Sequence, residues 1–166
     1  MEPLKKIYYK PKAIIKSPVI FLPISMVFAL LICALLEINI VILCCFGLVA
    51  VMLILGLNRA VKSALTFYPD GIAFFDKYFI SFDEIENISL PSSKQIILFA
   101  LKRKSPHTWW INCWQIYMPQ RCDMIWLIQN KQPNDIVLNN ITGLGTPLEE
   151  LLACFPADIP IIENED

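Results

Sequence analysis

The residues best suited to chemistry or contact stand close together in the second half of the chain. Lys102-Arg103-Lys104 is followed by His107 and then by Trp109, Trp110 and Trp114. Cations beside aromatic rings suit two kinds of surface. At a membrane interface the rings sit at headgroup depth, and each cation gains about 1 kcal/mol near anionic lipid. At a protein interface, Trp and Arg are enriched among the residues that carry the binding energy. The plainer alternative is a charged hairpin tip with core tryptophans on the strand after it. Lys102, Arg103, Lys104, Trp109, Trp110 and Trp114 form the candidate contact surface.

Other residue types do not assemble a reactive site. His107 is the only histidine and has no Ser or Cys motif beside it. Zinc needs Cys and His clustered at ligand spacing. The six cysteines (Cys33, Cys44, Cys45, Cys113, Cys122 and Cys154) contain no C-x-x-C pair and read as free thiols acting as small apolar side chains. Thr142-Gly143-Leu144-Gly145-Thr146 could open a helix toward an anion, but it lacks the dinucleotide fingerprint and the P-loop lysine. Asp83, Glu84 and Glu86 read as solvated carboxylates. The sequence predicts no catalytic residue, no cofactor and no metal, and the chain does not read as an enzyme.

The elements that would position the basic-aromatic cluster follow from composition. The 166 residues are 56% hydrophobic and only 17% charged, against roughly 45–50% and 25% in ordinary soluble domains. The excess is local: between Pro18 and Leu57, 33 of 40 residues are apolar and Glu37 alone is charged. A bilayer core takes about 20 apolar residues per helix, so the block predicts a two-helix transmembrane hairpin over 18–57, with spans Pro18–Leu36 and Ile40–Leu57. Lys5, Lys6, Lys10, Lys12 and Lys16 precede it, Arg59 and Lys62 follow it, and its turn has no cation. Basic flanks stay inside. The expected location is a bacterial inner membrane, multi-pass, with both termini cytoplasmic and residues 1–17 a basic cytosolic segment.

Residues 63–166 carry 7 basic and 13 acidic side chains, a formal net of −6, which excludes a broad nucleic-acid footprint. Short apolar runs punctuated by turns give strand candidates at Leu65–Tyr68, Ile72–Phe75, Tyr78–Phe82, Asn87–Leu90, Gln95–Leu101, Trp109–Met118, Met124–Gln129 and Ile136–Ile141, from which six or seven strands are expected. Thr146-Pro147-Leu148-Glu149 reads as a capping box. Leu148, Leu151, Leu152 and Phe155 then form one apolar helical stripe, ended by Pro156. The expected fold is a membrane hairpin plus an α+β domain, an antiparallel barrel or sandwich of six to seven strands capped by a C-terminal amphipathic helix.

The segments Leu65-Thr66-Phe67-Tyr68-Pro69-Asp70-Gly71-Ile72 and Ile80-Ser81-Phe82-Asp83-Glu84-Ile85, behind two apolar spans, resemble the small bacterial two-span membrane proteins that carry a pleckstrin-homology-like domain. The resemblance implies seven antiparallel strands capped by a helix. It implies no enzyme activity and transfers no site residue. The expectation for function is a non-enzymatic, inner-membrane-anchored binding or scaffold protein that recognises a protein partner at the cytosolic face. The alternative is a membrane immunity protein neutralising a bacterial toxin. Expected partners are the lipid bilayer and a protein, with a homo-oligomer possible and no nucleic acid.

Overall fold

Runs of β-branched and aromatic residues bounded by turn chemistry become strands, and in the computed structural model these gather into two four-stranded sheets. The structure describes residues 2–15, 24–28, 30–32, 44–51, 54, 58, 62–113, 115 and 120–163. The first sheet has the order β1-β2-β3-β4, antiparallel throughout, from β1 (Lys5–Ile7), β2 (Leu65–Tyr68), β3 (Gly71–Phe74) and β4 (Tyr78–Ser81). The second has the order β7-β6-β5-β8, from β5 (Ile85–Leu90), β6 (Ile96–Leu101), β7 (Ile136–Asn139) and β8 (Ile161–Glu163). In it β8 runs parallel to β5, and the other pairs are antiparallel. Gly71 opens β3 because a Cβ there would strike the Ile80 carbonyl and the Phe79 ring across the ladder.

Both sheets contribute to one core. Phe67 of β2 and Phe99 of β6 each meet Phe155 edge-on or tilted, at 5.1 and 5.8 Å between ring centroids, and Phe74 meets Phe99 at 5.5 Å. Ile72, Ile88, Ile97, Leu138 and Leu151 fill the space between them with no exposed surface. A smaller cluster lies on the second sheet's other face, where Trp126 and Leu127 pack against Ile96, Leu98 and Val137.

The N-terminal residues belong to this core. Ile7 and Tyr9 are buried, and the Tyr9 hydroxyl donates to the Asn139 carbonyl at 2.9 Å. Tyr9 also bridges Leu144, and Gly145 N–H donates to the Tyr8 carbonyl at 2.8 Å. The glycine-bearing segment 142–146 thus pairs with the N-terminus. The turn from β3 to β4 holds Phe75 and Asp76 at φ 62° and 56°, a left-handed conformation that bulky residues resist. Asp76 is fixed there by hydrogen bonds to its carboxylate from Ser63 Oγ (2.6 Å), Ser63 N–H (3.0 Å) and Thr66 Oγ1 (2.9 Å). Partial burial pushes its pKa up, but the Ser63 and Thr66 hydrogen bonds and the Lys6 ammonium outweigh that and hold it at about 2.

Four expectations are corrected. The sheets are two separate four-stranded sheets, mixed and antiparallel and not closed, in place of a pleckstrin-homology-like barrel. The expected C-terminal helix is not the last element. The helix at Leu148–Leu152 has five residues, begins at Pro147 without a side-chain capping bond, and is followed by β8. The expected strands at 109–118 and 124–129 give way, where described, to helices at Thr108–Cys113 and Arg121–Asn130. The expected membrane spans, 18–36 and 40–57, lie largely outside the described residues. Their described parts, such as 24–28, 30–32 and 44–51, are helical, yet among the described residues no helix is long and apolar enough to cross a membrane. The two-span hairpin is therefore set aside, and with it the basis for a multi-pass inner-membrane location. Apolar content predicts a preference for burial, and helix length is a separate requirement that it does not supply.

Candidate contact surface

We number the helices α1 (Pro11–Ile15), α2 (Thr108–Cys113), α3 (Arg121–Asn130) and α4 (Leu148–Leu152). The basic turn and α2 are held in place by polar side chains. Lys102 N–H donates to the Glu84 carbonyl at 2.9 Å, which anchors the end of β6. Ser105 Oγ accepts the His107 N–H at 3.3 Å, and the Thr108 hydroxyl donates to the Asn134 carbonyl at 3.2 Å. The His107 ring lies 5.6 Å from the Tyr78 ring, over which the Lys77 ammonium sits at 5.2 Å.

The strongest tie runs from α2 to β7, an outer strand of its sheet. Asn112 Nδ2 donates to the Asp135 carbonyl and Asn112 Oδ1 accepts the Val137 N–H, each at 2.9 Å. Gln115 repeats the pattern three residues later. Its Nε2 donates to the Val137 carbonyl at 2.6 Å and its Oε1 accepts the Asn139 N–H at 3.4 Å. Two carboxamides therefore replace a neighbouring strand and satisfy backbone groups that an exposed edge would offer to another chain. These tertiary contacts override the β propensity of a segment rich in Trp, Ile and Cys.

The same helix turns its tryptophans outward. Trp109 is 63% exposed and Trp110 47% exposed, packed edge to face at 4.5 Å between ring centroids. Lys102, Arg103 and Lys104 are all exposed, and none makes an ion pair among the described residues. Five of the six predicted contact residues are exposed, and of these Lys104 and Trp109 line one cleft. Trp114 lies outside the described residues.

One feature was not foreseen. An open cleft of about 530 Å³ separates the basic turn from the 131–134 turn after α3, lined in part by Lys104, Ser105, Trp109, Cys113, Lys131 and Pro133. Lys131 and Pro133 are far from the basic cluster in sequence, and the Thr108 bond to Asn134 together with the carboxamide tie of α2 to β7 brings the two turns together. Beyond the cleft, α3 leaves Met124, Ile125 and Ile128 exposed. Ile128 lies one turn before Lys131.

The groups left over at this surface are cations and rings. Thr108, Asn112 and Asp135 are used in positioning, with the buried Asp135 carboxylate accepting the Gln132 N–H at 2.7 Å. Among the described residues no group of three or more His, Cys, Asp or Glu could hold a metal ion. The arrangement can bind anionic and apolar groups side by side. In comparisons with family models, with curated proteins and with solved structures, nothing matches this chain.

Proposed function

We propose that this protein is a non-enzymatic recognition module that binds a protein partner through the basic turn and the outer face of α2. The observation that carries this reading is the adjacent, exposed pair Trp109 and Trp110, with Trp109 lining one cleft together with Lys104 of the exposed basic turn. Large apolar rings bared in a contiguous patch mark interaction sites more than isolated surface residues do. Aromatic residues with arginine are the side chains that dominate binding energy at protein interfaces.

Full-length tagged protein and its Trp109→Ala/Trp110→Ala variant test the reading by comparing the proteins each recovers from its own host's lysate. The wild type is expected to retain at least one protein that the variant loses. A Lys94→Ala variant, altered at the distant Lys94–Glu163 pair (3.0 Å), is expected to retain it. Identical recovery by the wild type and a folded tryptophan variant overturns the proposal.

A further inference from the structure

We infer that the partner presents an acidic segment to the cleft between Lys104 and Lys131, with an apolar side chain laid against Trp109. This rests on the recognition reading above and names the chemistry of its partner.

The argument is one of charge placement. Residues 63–166 carry a net of −6, so most of the body repels an acidic ligand. Yet of the seven cations in that stretch, Lys104 and Lys131 line the cleft and Lys102 and Arg103 precede Lys104 in its turn, while Lys77 lies over the Tyr78 ring that meets His107. Of the other two, Lys94 is paired with Glu163 at 3.0 Å and Arg121 starts α3. The charged side chains lining the cleft are Lys104 and Lys131, with no carboxylate among the lining residues described. Asp135 is buried and holds the 132–135 turn, while Asp83, Glu84 and Glu86 stand exposed outside the lining. The sign of the surface therefore reverses at the cleft. Opposed cations across a gap, neither one paired among the described residues, favour carboxylates there, and such complementarity selects partners and speeds encounter.

The cleft also limits the ligand. A volume of about 530 Å³ takes one or two side chains of a peptide. Ser105 accepts a backbone N–H and keeps its own hydroxyl proton for a ligand oxygen. An extended polyanion such as a nucleic acid needs a basic stripe, and the acidic body opposes one.

The test pans immobilised full-length protein against a phage-displayed library of random short peptides. Enriched peptides are expected to combine Asp or Glu with an aromatic or large aliphatic residue. Synthetic copies are expected to bind about tenfold or more weakly to Lys104→Glu/Lys131→Glu, and to bind Lys94→Glu as they bind the wild type. Bound peptide is expected to slow alkylation of the cleft thiol of Cys113 by N-ethylmaleimide, read residue by residue by mass spectrometry, without slowing that of the exposed Cys122. A library yielding no peptide, or neutral or basic ones, overturns the inference, as do acidic peptides indifferent to the lysine reversal or displaced preferentially by a single-stranded oligonucleotide. If the lysines prove irrelevant while Trp109→Ala/Trp110→Ala still loses its recovered protein, the acidic specificity has failed and the recognition reading stands. If the tryptophans are also irrelevant, both have failed.

Discussion

The two faces of α2 are built for different purposes. Toward the body, Ile111 is fully buried, Thr108 nearly so, and Asn112, with Gln115 just beyond the helix, hydrogen-bonds to the edge of β7. Toward solvent, Trp109 and Trp110 bare two large rings. A segment this short, with apolar residues on both faces, would bury its rings if packing were its only task. The difference separates what holds the helix in place from what it displays. Substitutions on the two faces should therefore fall into different classes, ordered by how much stability each face supplies.

The largest expected effect is at Ile111. Truncation to Ala removes a side chain with no exposed surface and leaves a cavity next to β7, so a loss of about 2–5 kcal/mol is expected. Chemical denaturation of Ile111→Ala against the wild type measures it. A loss under about 1 kcal/mol would mean that the inner face is no anchor and that α2 is held by its polar bonds alone.

Those polar bonds come next. Asn112→Ala/Gln115→Ala strips the partners from the Asp135 carbonyl, the Val137 N–H and carbonyl, and the Asn139 N–H. Each buried backbone group left unpaired costs about 1–3 kcal/mol, less where water reaches it. The bared β7 edge should also recruit other chains. The double variant is expected to unfold earlier in urea and to show a larger mass by light scattering. A variant that loses stability yet stays at wild-type mass would show that α2 shields the edge by bulk alone, without its carboxamides.

How much of this was legible in sequence depends on contact range. Leu65–Tyr68 is strand β2 as expected, and Pro69-Asp70 turns the chain into Gly71 because local chemistry dictates that hairpin. The runs at 78–82, 95–101 and 136–141 likewise contain β4, β6 and β7. The failures are non-local. Lys5–Ile7 is too short and too basic to read as a strand, and it is one only because Leu65–Phe67 offers it an edge. Met124–Gln129 lacks polar alternation, and a short apolar run does not distinguish strand from helix. Its helical state follows from laying Trp126 and Leu127 on the outer face of β6 and β7. At the site, the exposed cations and rings were legible from residue type, whereas Lys131 and Pro133, the far wall of the cleft, were not.

A second clamp elsewhere sharpens the comparison, because it uses a carboxylate where α2 uses amides. Asp76 has its pKa lowered from 3.8 to about 2 in the folded protein. The carboxylate therefore stabilises the fold fully above its unfolded value, and the contribution is lost as pH falls from about 4 through 2. Asp76 is partly exposed, so solvent screening reduces the effect to on the order of 1 kcal/mol. Asp76→Asn is expected to be less stable than wild type at neutral pH and to converge with it near pH 2, as measured by urea unfolding across that range. The α2 carboxamides do not titrate, so Asn112→Ala/Gln115→Ala should keep a constant offset from wild type. If Asp76→Asn also keeps a constant offset, the turn is held by the two hydroxyls and the backbone, without the charge.

The smallest expected effect lies on the outer face of α2. Trp109→Ala and Trp110→Ala remove rings that already contact water, so little transfer free energy is lost with each. Edge-to-face packing of the pair at 4.5 Å adds about 0.5–1.5 kcal/mol in protected settings, and exposure places this pair at or below the lower end. The double variant is therefore expected to differ from wild type by less than about 1 kcal/mol in urea unfolding, well short of Ile111→Ala one position along the chain. Alanine also raises helix propensity at both sites, which offsets part of the lost ring contact. A loss comparable to that of Ile111→Ala would mean that the tryptophans support the fold, and the division between the two faces would collapse. A near-neutral result would leave two bare rings with no role in stability, next to a basic turn whose three cations make no ion pair among the described residues, and contact with another molecule would be the remaining physical reason for keeping the rings at the surface.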